Sequence, residues 1–126
     1  MRRTVVPAIL LLLLVGCLPF VPLPHRKPAP DTDYGLPPQN YEKLIKDHVK
    51  VSWWGEQGYH SPQRFGRLRK AYVNRGLIYG GGVDWVGYVV PFYLMDSKGR
   101  GWKVFAFIHN DKVDDVGQHS NIHYVD

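Results

Sequence analysis

Cys17 is the only cysteine in this chain, and it stands where an apolar run ends and a proline-rich stretch begins. A thiolate is the most nucleophilic side chain available for alkylation, so the position suits covalent attachment of a group. One thiol cannot close an intramolecular disulfide, which excludes a disulfide-stapled small fold. A second set is basic: Arg64, Arg67, Arg69, Lys70 and Arg75. On a strand, Arg67 and Arg69 share a face and Lys70 points to the other, an arrangement that can meet phosphates or carboxylates. The plainer alternative is a solvated strand face whose charges block edge-to-edge pairing, and the pattern favours it. Trp53 and Trp54 adjoin a glycine-bearing loop and are either core or an exposed contact patch for glycan or protein.

The other candidates point away from catalysis. His119 and His123 lie four apart, with Asp111, Asp114 and Asp115 nearby in sequence. On a helix that spacing directs two imidazoles to one metal. Gly117 and the polar, terminal context argue against a helix there, and no third ligand is fixed by spacing, so a frayed tail without a metal site is expected. Gly80, Gly81 and Gly82 lack the strand-then-helix context and the Lys-Ser/Thr pair of a phosphate loop and read as a turn. Asp84 lies inside an apolar stretch and is the one acidic residue whose surroundings merit inspection. No catalytic residue, no enzymatic activity and no cofactor is expected from this set.

These residues must be positioned by a small domain. Asn40 to Val51 places Tyr41, Leu44, Ile45, His48 and Val49 on one helical face, with Asn40 as N-cap and Glu42 in the first turn. Trp53, Trp54 and Gly55 are expected to end that helix. After Pro62 the texture turns to β. Arg64 to Val73 reads as a first strand and Val83 to Met95 as the strongest. Trp102 to His109 follows the Asp96–Gly101 loop, and Val113 to Val116 forms a short edge. Pro91 cannot donate to a ladder, so a bulge or a locally unpaired donor is expected there. The fold class expected is α+β: one N-terminal amphipathic helix packed on a small antiparallel meander of three to four strands.

Ahead of this head, residues 1–16 have the layout of a secretory signal, with Arg2 and Arg3 basic, Val5 to Val15 apolar and Gly16 small. The apolar run falls short of the roughly 20 residues a spanning helix needs, and Pro19, Pro22 and Pro24 prevent its extension. Leu14-Val15-Gly16-Cys17 resembles the lipobox of bacterial lipoprotein precursors. That resemblance implies cleavage before Cys17, acylation of its thiol, and, because Leu18 follows, delivery to the outer membrane facing the periplasm. Residues 17–39 then form a lipidated, proline-rich tether, with seven of the ten prolines in Leu18–Gln39. Such a spacer reaches at most about 70 Å at 3.1 Å per residue.

Residues 40–126 form the head. Its stretch "FGRLRKAYVNRGLIYGGGVDWVGYVVPFYL" resembles a pattern in small Gram-negative envelope lipoproteins, with no activity attached to it. The formal charge of +5 falls to +3 without Arg2 and Arg3, which is too weak to imply a nucleic-acid partner. Three roles therefore stand open for the head: a non-enzymatic protein-interaction or structural role in the envelope; a peptidoglycan- or lipopolysaccharide-binding module using Arg64, Arg67, Arg69, Trp53 and Trp54; and an inhibitor of a wall hydrolase. Membrane lipid, through acylated Cys17, and an envelope protein or wall component are the expected partners.

Overall fold

A computed structural model describes residues 26–76, 78 and 80–125. Cys17, the signal segment and the start of the tether lie outside the described residues. Helix α1, Tyr41–Val51, starts where the Asn40 side chain accepts the Lys43 N–H at 3.4 Å, and it buries Ile45 and Val49. It ends at Val51, the last residue of the expected span. Ser52 is extended, and its hydroxyl and N–H both donate to the Val49 carbonyl. A second turn, α2, follows at Trp53–Glu56. Gly55 permits it, because a Cβ there would stand 2.5 Å from the Val49 carbonyl oxygen.

Six strands form one antiparallel sheet: β1 Ser61–Gln63, β2 Arg69–Asn74, β3 Val83–Met95, β4 Gly101–His109, β5 Lys112–Gly117 and β6 Ile122–Tyr124. The order is β5-β4-β3-β2-β6, and β1 shares with β2 the same edge of β3. The gap between β1 and β2 falls at Pro91. The Gly66 N–H donates to the Pro91 carbonyl at 2.7 Å, so the proline's missing donor faces the same gap. A side chain at residue 66 would collide with the Pro91 ring at 2.6 Å. No bulge forms at Pro91, since the ladder to β4 runs through Pro91 and Phe105; its missing donor faces the gap on the other edge, where the first half of the strand expected from Arg64 is not formed.

Four strand spacings separate β5 from β6, about 19 Å in a flat sheet. The four-residue connection 118–121 offers five Cα steps, at most about 18 Å. The sheet must therefore curl. The connection runs over the concave side, where the His119 ring meets Phe107 edge-on at 4.7 Å between centroids and the Asn121 carbonyl accepts the Asn74 N–H at 3.3 Å. Even-numbered residues of β3 and β4 face α1 on the convex side, where Val90, Phe92, Leu94, Val104, Ala106 and Ile108 close the main core with Ile45 and Val49. A smaller concave core joins Ala71, Val73, Val89 and Phe107 under Trp85, Phe105 and Ile122.

This corrects the expected fold class. The described chain is mostly a six-stranded antiparallel sheet, its helix is confined to 41–56, and that helix is not N-terminal to the ordered structure. Strands β1 and β6 were missed because three residues carry no readable alternation; they exist through pairing with β3 and β2. The tail expected to fray is held in the same way, with the His123 ring stacked on Tyr72 at 5.0 Å.

Residues 26–39 also depart from a free spacer. The Arg26 N–H donates to the Gly81 carbonyl at 3.0 Å, the Asn74 side chain donates to the Arg26 carbonyl at 2.9 Å, and Pro38 is buried. The Leu36 N–H donates to Asn110 Oδ1 at 3.3 Å. Burial pushes the Tyr34 phenol above its ordinary pKa, and the neighbouring Tyr72 adds to the shift. Residues 26–39 are therefore packed against the head.

Candidate functional site

The far end of β3 carries two surfaces of distinct chemistry. On the convex side, α2 and the segment leading to β1 meet the start of β4. Trp53 is 59 % exposed and packs edge-on against Trp54, with centroids 5.0 Å apart. Trp54 packs edge-on against Tyr59 at 5.7 Å. The Tyr59 hydroxyl accepts the Trp102 Nε1–H at 2.9 Å, and Trp102 is itself 51 % exposed. The result is a ledge of four aromatic rings.

Trp54 is the structural member of that ledge. Its Nε1–H donates to the Val116 carbonyl at 2.9 Å, closing an acceptor on edge strand β5. Trp53 and Trp102 are left as half-exposed indole faces in fixed orientations. Flat apolar rings with polar edges stack on the apolar face of a sugar or on another protein's side chains.

On the concave side, Tyr93 and Lys103 oppose each other in register, one row beyond Pro91 and Phe105. Arg64 lies in the loop after β1, and its guanidinium stands 5.9 Å from the centre of the Tyr93 ring. Lys103 Nζ stands 5.9 Å from the Phe105 ring centre. At the other edge Arg69 lies 3.9 Å over Tyr124. Each cation is thus set over an aromatic ring, a geometry worth about 0.5–1 kcal/mol at exposed sites.

The shared strand face expected for Arg67 and Arg69 is not formed. β2 begins at Arg69, and Arg67 stands exposed in the loop before it. Nor do the arginines and the tryptophan pair make one surface, since they lie on opposite sides of the sheet.

A polar cleft of about 540 Å³ opens at the opposite end of β3, lined by Asn74, Arg75, Asp84, His119 and Ser120 among others. Its charged groups are engaged with one another. Arg75 Nε meets Asp84 at 3.3 Å, both side chains being more than half exposed, and His119 Nε2 meets Asp115 at 3.3 Å. Beside the cleft, Trp85 Nε1 donates to Asp114 at 3.0 Å. Asp84 is therefore an exposed member of a surface ion pair. Among the described residues no three His, Cys, Asp or Glu side chains gather closely enough to hold a metal ion.

Tyr59, Tyr93, Trp102 and Lys103 were not singled out from the sequence. Trp102 reads as a core strand residue, and its partner Tyr59 is 43 positions away. Only the pairing of β1 and β4 with β3 brings them together. Among the described residues no helix is long and apolar enough to cross a membrane. No protein-family model, curated protein or solved structure matches the chain.

Proposed function

We propose that this chain is a lipid-anchored protein of a bacterial envelope, held through an acylated Cys17, and that its head is a non-enzymatic module that contacts wall glycan through the Trp53–Trp102 ledge. The anchor rests on the order Leu14-Val15-Gly16-Cys17 behind a basic, then apolar, N-terminus. Leu18 after the cysteine favours the outer membrane, facing the periplasm.

The observation that carries the contact role is the ledge itself. Two indoles remain half exposed, and neighbouring rings and the Tyr59 hydroxyl fix their planes. Rings immobilised before binding lose little conformational entropy on contact, which raises affinity. The position of the ledge supports the same reading. Arg26 lies against Gly81, whereas Trp102 pairs with Leu94. Val83 to Leu94 spans about 36 Å at 3.3 Å per residue. The ledge thus lies at the end of β3 opposite Arg26, which suits contact with material away from a tether that enters there.

Mass spectrometry of the mature N-terminus tests the anchor: Cys17 should be the first residue and carry acyl mass, and an unmodified Cys17 refutes it. Retention of the full chain, in neutral detergent, on insoluble peptidoglycan tests the ledge. Trp53→Ala with Trp102→Ala should lower retention about tenfold or more. Equal retention of that variant, or no retention of the wild type, refutes the glycan contact.

A further inference from the structure

The concave row around Tyr93 is chemically unlike the rest of the surface. The ion pairs among the described residues are Arg75–Asp84, Arg100–Asp96 and His119–Asp115, and Arg64 and Lys103 belong to none of them. Arg64 adopts φ +53°, a left-handed backbone that disfavours residues with a side chain. Glycine would be the relaxed choice at that position. The arginine instead carries its guanidinium over the Tyr93 ring. Opposite it, Lys103 projects from β4 on the same face, in direct register with Tyr93. Tyr93 and Phe105 are therefore neighbouring half-buried rings on one face, the first carrying Arg64 and the second Lys103, and among the described residues neither cation has a carboxylate partner.

We infer that the Arg64–Tyr93–Lys103 row is a subsite for an anionic glycan, with the glycan laid along the Tyr93 and Phe105 rings and its carboxylates met by Arg64 and Lys103. The inference rests on the contact-module reading and adds the charge of the ligand, on the other side of the same sheet end. A guanidinium fork matches a carboxylate with two parallel hydrogen bonds, while the lysine adds a point charge. The aromatic ring supplies the part of the recognition that a bare anion cannot use.

The probes are three soluble polymers offered to the full chain in neutral detergent. Polygalacturonate has both sugar rings and carboxylates, inorganic polyphosphate has charge alone, and dextran has rings alone. Polygalacturonate should bind about tenfold or more tightly than either of the others, and its affinity should fall between 50 mM and 500 mM salt as screening grows. Arg64→Gly and Lys103→Gln should each weaken it about tenfold, the loss of one charge-assisted contact.

Arg64→Gly separates binding from folding, because it removes the cation and the left-handed strain together; its Tm should equal or exceed that of the wild type. Polyphosphate binding as tight as polygalacturonate overturns the inference in favour of a plain polyanion surface. Unchanged affinity in both variants, or no binding by the wild type, overturns it altogether. Neither result touches the Trp53 and Trp102 retention assay, so failure of the subsite and failure of the ledge are distinguishable.

Discussion

Asn74 joins three parts of the molecule. It is 3 % exposed, and its side-chain N–H group donates to the Arg26 carbonyl at 2.9 Å, to Gly81 at 3.0 Å and to Gly82 at 3.4 Å. Alanine at this position removes two well-formed hydrogen bonds, about 1 kcal/mol each. The Gly81 carbonyl keeps the Arg26 N–H and the Gly82 carbonyl keeps the Arg75 N–H. The Arg26 carbonyl loses its donor, at about 1 kcal/mol more. Against this, the Asn74 Oδ1 atom is buried without a partner among the described residues, and deleting it returns a similar amount.

The net loss for Asn74→Ala is about 2 kcal/mol, roughly 30-fold in the folded-to-unfolded ratio, with a Tm lower by roughly 10 °C. Urea denaturation of the full chain in neutral detergent measures it, and amide exchange should show residues 26–36 protected less than the sheet. Asn74→Asp sharpens the test. Its ionised carboxylate would face carbonyl oxygens with nothing to donate, so at pH 7 it should lose more than the alanine variant. Burial raises the folded pKa of such a carboxyl above its unfolded value near 4. Its deficit should therefore be smallest below about pH 4 and should grow as pH rises through the folded value. A loss under about 0.5 kcal/mol for Asn74→Ala, or an aspartate variant that improves with rising pH, would refute this account of the junction.

Gly87→Ala should destabilise by about 1–3 kcal/mol, because its Cβ would stand 2.4 Å from the Ile108 carbonyl oxygen and 2.5 Å from the Trp85 indole; an unchanged urea midpoint would contradict that packing. Trp54→Phe keeps the ring contacts but strands the Val116 carbonyl, at about 1–2 kcal/mol in the same assay, and a neutral result would mean water replaces the indole donor. In the β3–β4 hairpin, burial pushes the Asp96 carboxyl up. Hydrogen bonds from the Arg100 backbone and side chain and from the Lys98 N–H outweigh this and hold it below its ordinary pKa. The stabilisation is fully present above the unfolded value near pH 4 and is lost as pH falls through the lower folded value. Thermal melts from pH 6 to pH 2 should therefore show a shallower acid decline for Asp96→Asn, and an identical decline would refute the hairpin's part in it.

Legibility in the sequence followed the range of the forces involved. Helix α1 was readable because its cap, its first-turn acid and its apolar stripe are all local. Strand β3 was readable end to end because both its faces are largely apolar and rich in β-branched and aromatic residues. Pro91 announced its own interruption, since the missing donor is a covalent fact. Strands β1 and β6 were illegible because three residues hold no period, and the docking of residues 26–39 was illegible because it depends on carbonyls meeting Asn74 and Asn110 from far along the chain.

The candidate site divides in the same way. The sequence by itself determined the residue types: a lone thiol behind an apolar run, adjacent tryptophans before a loop, and arginines crowded around the start of a strand. It also determined that the domain would pack around the Val83–Met95 strand, because no other segment can bury both faces. Tertiary structure alone decided which of those residues stand together. A strand sends neighbours to opposite faces, so Trp102 joins the ledge while Lys103 joins the cationic row. The curl forced by a four-residue connection between β5 and β6 made one face concave, and the break at Pro91 left Arg64 in a loop with its charge over Tyr93. Long-range pairing, which no window of sequence contains, supplied those geometries.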